Sequence, residues 1–312
     1  MKIDLVYLWV DGNDPKWIAK KNAYSKEKVA LADLDCQGRY ANSDELKYSL
    51  RSVEKFANWV NKIFIVTNDQ IPEWLDTSNP KIKIIDHSEI LPAEIQPCFN
   101  ALAIENFMHK IPELSEYFLY SNDDMFFNKP LSSDFFFADD GLPFVRLYQY
   151  RHDECRAKRS LMWKYFTKKL DYWEFLNYNV ARKVAKITGK LYTGMPHHNI
   201  DAYLKSDFEK TMKVFAKEVK KTSLHRIREK DDFYRISVSY YCLGTNRAHL
   251  LYVKNQNSLV INVEEKDYEQ KLSDYQPDLF CINDNPKATN EDRIRMKQFL
   301  ENYFPKKSEF EK

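Results

Sequence analysis

The chain contains the stretch Tyr117-Phe-Leu-Tyr-Ser-Asn-Asp-Asp124, in which an apolar run ends in an amide and two carboxylates. The apolar half is typical of a buried strand, which then ends at Asn122, Asp123 and Asp124. Two adjacent carboxylates at a strand end can face a divalent cation, because hard ions such as Mg²⁺ prefer carboxylate oxygen. An Asp-Asp pair taken alone is more often a capped turn, so this stretch indicates a metal site without establishing it.

Runs of the same kind lie upstream. Strands are predicted at Ile3 to Val10, Lys62 to Thr67 and Lys81 to Ile85, and polar residues follow each of them. The apolar positions between the first two strands recur at helical spacing: Leu46, Leu50, Val53 and Ala57. A further helix is predicted from about Phe99 to His109. Because strands alternate with helices, we predict an α/β fold with a mixed, mainly parallel sheet flanked by helices. Ligands are then expected at the carboxyl ends of the strands.

The second half of the chain is predicted to be mainly helical. Helical patterns run through Leu161 to Phe166, Phe175 to Ile187, Tyr203 to Thr222 and Asn290 to Tyr303. No internal repeat, low-complexity tract or Gly/Ser linker divides the sequence. We therefore predict one domain over residues 1–312, with a helical insertion at about residues 151–222.

The charges of the chain nearly balance. Its 312 residues include 48 Lys and Arg against 46 Asp and Glu, a net charge of +2, which argues against a nucleic-acid partner. The five cysteines form no CxxC pair, and no apolar run resembles a signal peptide or a membrane span. We expect a cytoplasmic protein. The basic and aromatic residues between Arg151 and Lys190 are suited to contact with an anionic membrane surface, so peripheral association is a second expectation.

Several polar residues of the first half are candidates for binding a nucleotide. Asp11 and Gly12 follow the first strand, where a carboxylate and exposed backbone can meet a ribose or base, although an Asx turn is the commoner role. Lys47 and Arg51 share the polar face of the first predicted helix and could hold phosphate, or only face solvent. Neither a GxGxxG nor a P-loop motif is present, so metal and basic side chains would have to hold any phosphates.

Asn100, just before the otherwise apolar segment from Ala101 to Met108, is a further candidate for binding the nucleotide. Glu105 stands out because it lies within that segment. An acid among such neighbours either points to solvent or is held for a purpose. Both interpretations remain open at this point.

The second half supplies two candidate histidines, a basic tetrad and a further carboxylate. His197 or His198 could take a proton from a hydroxyl, although adjacent histidines are more often structural. The tetrad that ends at Arg228 is either an anion clamp or the end of a charged helix. Asp284 follows Cys281-Ile-Asn in the same strand-then-carboxylate pattern as Asp124 and is a second candidate metal ligand.

In their order, these segments resemble the Stealth family of hexose-1-phosphate transferases. Ile3 to Gly12 resembles the family's first conserved block. The segment Glu45-Leu-Lys-Tyr-Ser-Leu-Arg-Ser52 resembles the start of the second block, and the resemblance continues to Asp124. The third corresponds more loosely to the segment from His198 to Arg228, and the fourth corresponds to Cys281-Ile-Asn-Asp284. The resemblance spans nearly the whole chain.

The resemblance implies a glycosyltransferase A-like core that takes a UDP-sugar and Mg²⁺ or Mn²⁺. The family transfers the sugar with its attached phosphate to a hydroxyl of an oligosaccharide or lipid-linked acceptor, and UMP is released. Carried over by position, the implied catalytic group is Glu105, Asp124, His198 and Arg228. The resemblance also pairs Asp284 with Asp124 around the metal, and places Asp11 and Arg51 against the nucleotide. An ordinary glycosyltransferase that releases UDP and a non-catalytic carbohydrate-binding protein are the alternatives.

The sequence departs from the family pattern near the histidine. Members commonly carry Pro two residues after it, where this chain has Ile200, and His197 is a competing candidate for the base. The choice between the two histidines therefore stays open at the level of sequence.

Overall fold

A five-stranded sheet forms the centre of the fold, which is known from a computed structural model that describes residues 1–25, 38, 40–149 and 154–312. Its strand order is β3-β2-β1-β4-β8. The strands are β1 (Ile3–Leu8), β2 (Ile63–Thr67), β3 (Ile82–Asp86), β4 (Tyr117–Asn122) and β8 (Asp201–Leu204). The first four run parallel, and β8 pairs antiparallel with β4. The predicted α/β architecture with a mixed, mainly parallel sheet is confirmed.

Two three-stranded sheets flank this centre. One has the order β10-β11-β5 and joins β5 (Met125–Phe127), β10 (Ser258–Asn262) and β11 (Leu279–Asn283). The other has the order β7-β6-β9 and joins β6 (Phe144–Tyr148), β7 (Met195–Pro196) and β9 (His249–Val253). Because β5 follows β4 directly and pairs with β11, the ends of β4 and β11 come close to each other.

Eleven α-helices lie within the described ranges and cover these sheets. In the first half they are α1 (Pro15–Ser25), α2 (Glu45–Phe56), α3 (His87–Ile90) and α4 (Ala101–Glu105). The middle of the chain forms α5 (Glu154–Phe166), α6 (Tyr172–Thr188), α7 (Lys205–Val214) and α8 (Ala216–Ser223). The last three are α9 (Ile236–Gly244), α10 (Tyr268–Tyr275) and α11 (Asn290–Tyr303).

The apolar core lies on both faces of the central sheet, because successive side chains of a strand point to opposite sides. On β1, Val6 packs on one face with Phe118 of β4, while Leu5 packs on the other with Leu50 of α2. A third cluster fills the space between β10, β11 and α11 around Met296. Burial on both faces explains why β1 and β2 read as nearly continuous apolar runs in the sequence.

Two helix predictions differ from the structure. Tyr203 lies in β8 and not in a helix, because residues 201–204 pair with Tyr117 to Tyr120 at the edge of the sheet, and the rest of the predicted helix is divided into α7 and α8. The helix expected from Phe99 to His109 is the shorter α4, which begins after Asn100, where the Asn side chain accepts a hydrogen bond from the Leu102 amide. The span predicted as a helical insertion therefore also contains β7 and β8. Its first residues, 151–153, lie outside the described ranges, and the division into domains stays a prediction.

Among the described residues, none of the helices has the length and apolar character required to cross a membrane.

Candidate active site

A cavity of about 620 Å³ opens at the carboxyl ends of the central strands. Leu8 of β1, Val66 of β2 and Asn122 of β4 all line it, as expected for a parallel sheet with a ligand site. The volume lies within the range of small-molecule sites in proteins. The candidate residues can therefore be sorted by whether they face this space.

Four carboxylates line one side of the cavity: Glu45, Asp123, Asp124 and Asp284. Burial and the nearby Asp123 charge raise the pKa of Glu45 to about 8. Burial and the adjacent Asp124 charge raise the pKa of Asp123 to about 7. Such crowding opposes ionisation of the cluster, and a bound cation would relieve it. The oxygen donors fit a hard divalent ion such as Mg²⁺ or Mn²⁺.

Asp284 is held in place by an arginine. Its carboxylate accepts hydrogen bonds of 2.6 and 3.0 Å from Nε and Nη2 of Arg293, on α11. On its other side it meets Gly38, where an added Cβ would lie 2.4 Å from Oδ1 of Asp284. The carboxylate is thus fixed at the wall of the cavity by its ion pair with Arg293.

Asp124 lies beside two further potential ligands. A carboxylate oxygen of Asp124, a ring nitrogen of His198 and Sγ of Cys281 lie within 4.8 Å of one another. Burial is the main cause that raises the pKa of the Cys281 thiol well above its usual range, with the Asp124 charge adding to it. The thiol therefore stays protonated, and the carboxylates remain the better ligands for a hard ion.

The two histidines have different surroundings. His197 is buried, its Nδ1 is 3.1 Å from Oγ of Ser258, and its Nε2 is 3.0 Å from Oδ1 of Asp201. Burial lowers the pKa of His197. Its neighbour His198 is partly exposed within the cavity, beside Asp124. Both ring nitrogens of His197 are engaged by the protein, which suits a structural role.

Glu105 is buried at the base of the cavity and belongs to a polar network. Its Oε1 accepts a hydrogen bond of 3.1 Å from the Tyr120 hydroxyl. Nε of Arg235 lies 3.6 Å from Oε2 of Glu105, and the Arg235 guanidinium stacks 4.4 Å from the Tyr120 ring centroid. Burial raises the pKa of Glu105, while the charges of Arg235 and Arg228 oppose that rise.

Arg235 is also bonded on its far side. Its Nη1 donates to Oδ2 of Asp201 and, over 2.9 Å, to the hydroxyl of Tyr203. Both partners lie on β8, so the edge strand of the central sheet orients the arginine. Burial of this cation is compensated by the two carboxylates of Asp201 and Glu105, as buried charges require.

Arg228 also lines the cavity, 6.0 Å from the ring centroid of Trp173. Its Nη1 is buried and has no hydrogen-bond partner among the residues that the structure describes. An aromatic group of cavity residues, Trp17, Tyr40 and Phe99, forms another part of the wall, with Trp17 5.0 Å from Tyr40 between ring centroids.

The five residues predicted to bind the nucleotide do not line the cavity. Arg51 is buried against the C-terminal segment, where its Nε and Nη2 donate to Glu311 over 2.9 Å each. Asn100 donates to Oδ2 of Asp232 over 2.8 Å. Lys47 pairs with Asp44 at the surface. Asp11 accepts from the Asn13 amide in an Asx turn, and Gly12 lies so close to Tyr40 that an added Cβ would be 2.1 Å from its carbonyl oxygen.

Among the lining residues that were not singled out from the sequence as site residues are Glu45, Arg235 and Cys281. In the sequence, Glu45 was noted only as the first residue of the segment from Glu45 to Ser52. It begins α2, and its Oε2 accepts a 2.7 Å hydrogen bond from the Ser43 amide. Arg235 precedes an apolar helix, and its buried position was the missing information. Cys281 was visible only as part of the strand before Asp284.

The sequence of the chain matches three conserved regions of one family. Residues 1–29 match Stealth protein conserved region 1, residues 39–145 match conserved region 2, and residues 270–312 match conserved region 4. The third predicted block, from His198 to Arg228, stays a prediction.

Three polysaccharide phosphotransferases are similar in sequence to this chain over most of its length. The capsular polysaccharide phosphotransferase fcs1 of Haemophilus influenzae is 36% identical over 300 residues, which are 92% of this chain and 79% of that protein. The exopolysaccharide phosphotransferase cps2G of Lactiplantibacillus plantarum is 32% identical and is covered over 96% of its length. The capsular polysaccharide phosphotransferase SacB of Neisseria meningitidis serogroup A is 32% identical over 99% of this chain, which spans 57% of the length of SacB.

Among solved structures, the galactosyltransferase LgtC in complex with donor and acceptor sugar analogs has a TM-score of 0.45 at 9% identity, over 97% of this chain and 95% of that one. The glycosyltransferase GlyE of Streptococcus pneumoniae TIGR4 has a TM-score of 0.44 at 11% identity, over 97% of this chain and 60% of that one. Likenesses this distant add nothing about chemistry. The conserved regions and the similarity to fcs1 and cps2G establish that the chain belongs to the Stealth family.

Proposed function

We propose that the chain transfers hexose-1-phosphate, of the GlcNAc-1-phosphate type, from a UDP-hexose to a hydroxyl of an acceptor sugar. The reaction forms a phosphodiester and releases UMP, as a step in the synthesis of capsular or other cell-surface polysaccharide. The main support is that Glu105, Asp124, His198 and Arg228 all line one cavity, although they come from four separate parts of the chain. The names of the relatives fcs1 and cps2G, both phosphotransferases, agree with this reaction class.

The donor is proposed to lie along the cavity from its aromatic to its acidic side. The rings of Trp17, Tyr40 and Phe99 offer apolar faces to the uracil base. The carboxylates of Asp124 and Asp284, with Asp123 beside them, would hold Mg²⁺ or Mn²⁺ at the diphosphate. When bound, the ion neutralises phosphate charge and stabilises the leaving phosphate oxygen.

We place the proton transfer at His198. The acceptor hydroxyl gives its proton to an imidazole nitrogen of His198 while its oxygen attacks the β-phosphorus of the donor. The bond between that phosphorus and the oxygen bridging to the α-phosphate breaks, and its electron pair leaves with UMP. Arg228, whose Nη1 has no hydrogen-bond partner among the described residues, would donate to the phosphate oxygens during this step.

Glu105 and Arg235 would orient the reacting groups. Oε2 of Glu105 and Nε of Arg235 have no hydrogen-bond partner among the described residues, and we propose that they accept from a sugar hydroxyl and donate to a neighbouring oxygen. Because Asp201, Tyr203 and Tyr120 fix both side chains, little reorganisation is needed when substrate binds.

The acceptor is proposed to be an oligosaccharide or a lipid-linked glycan, and no nucleic-acid partner is proposed. The balanced net charge of +2 supports the second point. Peripheral association with the inner face of the membrane would bring the cavity to a lipid-linked acceptor.

Product analysis tests the proposal. The purified chain would be incubated with a panel of UDP-sugars, an oligosaccharide acceptor and Mg²⁺, and the products followed by phosphorus NMR. A phosphodiester resonance together with UMP is expected with one donor. UDP as the nucleotide product, without a phosphodiester, would instead identify an ordinary glycosyltransferase.

A further inference from the structure

Helix α5 presents an exposed face that combines apolar and basic side chains. Trp163 is 55% exposed, Phe166 is 69% exposed and Met162 is 48% exposed, which are high values for large apolar residues. Arg159 lies on the same face, since positions 159, 162, 163 and 166 follow the spacing of neighbours on a helix surface. We give the name α5 ridge to these four residues, Arg159, Met162, Trp163 and Phe166, together with Lys168 and Lys169, which follow the end of α5.

The opposite side of α5 is packed on the protein, so the orientation of the ridge is fixed. Leu161 is buried, and the Tyr165 ring stacks on Phe175 of α6 with centroids 5.5 Å apart. Nζ of Lys164 lies 3.0 Å from Oε1 of Glu174. The helix is thus held in place from one side. Of the ridge, the Phe166 ring borders α6, with the Arg182 guanidinium 6.0 Å from its centroid, and this ring is still largely exposed.

The charge around the ridge selects an anionic partner. Residues 156–170 include no Asp or Glu, and their basic residues are Arg156, Lys158, Arg159, Lys164, Lys168 and Lys169. Nζ of Lys169 lies 4.6 Å from the Trp163 ring centroid, so a cation borders the apolar surface directly. Exposed Trp, Phe and Met side chains within a field of Lys and Arg match the interface of an anionic bilayer, which takes apolar groups between its headgroups.

We propose that the α5 ridge docks the enzyme on an anionic lipid bilayer. Met162, Trp163 and Phe166 enter the headgroup region, while Arg159, Lys168 and Lys169 contact lipid phosphates. The helix that follows, α6, begins at Tyr172, and Tyr172 and Trp173 line the cavity. Docking therefore sets one wall of the cavity beside the membrane surface, where a lipid-linked acceptor resides. Only this last consequence rests on the proposed function.

Vesicle sedimentation tests the docking. The full chain would be mixed with vesicles of phosphatidylcholine alone or of phosphatidylcholine with phosphatidylglycerol. Wild-type protein should sediment with the anionic vesicles, weakly with the neutral ones, and less as salt is raised. The Trp163→Ser/Phe166→Ser double variant should partition at least about tenfold less. The charge variant Arg159→Gln/Lys168→Gln/Lys169→Gln should partition about a hundredfold less.

An exposed isoleucine on another helix supplies the matched control. Ile294 on α11 is 59% exposed, and Ile294→Ser should leave vesicle binding unchanged. Transfer to a water-soluble acceptor should be unchanged in all ridge variants, which separates failure of docking from failure of the proposed reaction. Equal sedimentation of wild-type and ridge variants would overturn the proposal. So would a ridge that binds a soluble phosphodiester glycan but not anionic vesicles.

Discussion

Nε of Arg235 lies 3.6 Å from Oε2 of Glu105, with both side chains buried at the base of the cavity. Neither atom has a well-aligned hydrogen-bond partner among the residues that the structure describes. The rest of the arginine is bonded to Asp201 and Tyr203. The pair is therefore fixed at the base of the cavity, with a buried donor and a buried acceptor whose hydrogen-bonding capacity is unused.

Replacing Arg235 should change the pH dependence of turnover. Burial raises the pKa of Glu105, and the Arg235 charge opposes that rise, so its removal raises the pKa further. In Arg235→Gln, the ionised form of Glu105 should appear only at higher pH, and the acid limb of the kcat profile should move upward. We expect kcat to fall by about a hundredfold or more.

The conservative variant separates this role from simple support of the fold. Arg235→Lys keeps a buried cation but cannot reach Asp201, Tyr203 and Glu105 together. It should fold and yet remain slow. Full recovery of kcat by lysine, with an unchanged pH profile in Arg235→Gln, would assign the arginine to packing alone.

Asp124→Asn should abolish transfer while leaving the fold intact. Loss of one metal-binding carboxylate should lower kcat by roughly a thousandfold or more, because a bound ion stabilises the charge of the transition state by several kcal/mol. Removal of the Asp124 charge should also lower the pKa of Asp123, because Asp124 is one cause of its rise to about 7. Tm without added metal should therefore not decrease. Asp139 is exposed, and the control variant Asp139→Asn should keep full activity. Substantial turnover by Asp124→Asn would show that Asp124 has no role in the mechanism.

Alanine substitutions of the two adjacent histidines should have different effects, one on kcat and the other on stability. His198→Ala should lower kcat by about a hundredfold to ten-thousandfold with little change in Tm, as expected for loss of a general base. His197→Ala should lower the free energy of unfolding by about 2–4 kcal/mol, because it empties a buried position bonded to Ser258 and Asp201. A folded, inactive His197→Ala beside an active His198→Ala would reverse the assignment.

Arg51 should matter for stability more than for nucleotide binding. Its guanidinium is buried between Glu311 and the carbonyl oxygen of Phe304, at 2.7–2.9 Å. Arg51→Met should lower the free energy of unfolding by about 3–5 kcal/mol, because Glu311 loses its partner. Denaturant titration measures this. KM for the UDP-sugar should stay within about twofold of wild type, and a large rise in KM with normal stability would restore Arg51 to the nucleotide site.

Local signals in the sequence predicted much of the fold. Helix α11 has the predicted bounds, and Thr289 caps it by accepting a hydrogen bond from the Asp292 amide. The strands β1, β2 and β4 were predicted because burial on both faces makes them mostly apolar. The short strand β8 could not be found this way, since its four residues are set by pairing with β4 and run directly into a helix.

Whether a residue could be placed at the candidate site from the sequence depends on how far along the chain its partners lie. Asp124, Asp284 and Glu105 each carried a local sign, as acids at strand ends or in an apolar segment. Arg235 carried none, because its partners Glu105 and Asp201 are brought to it only by tertiary structure. The pairing of Arg51 with Glu311 could not be predicted either, since Glu311 lies at the far end of the sequence, and the nucleotide-binding role of Arg51 stays a prediction.

The fate of the β-phosphorus tests the central claim most directly. A UDP-hexose radiolabelled at that phosphorus would be incubated with the chain, Mg²⁺ and an oligosaccharide acceptor, and the label then separated by chromatography. The account predicts that the label moves into the acceptor and that unlabelled UMP accumulates. Label retained in UDP, with an unlabelled and elongated acceptor, would contradict it.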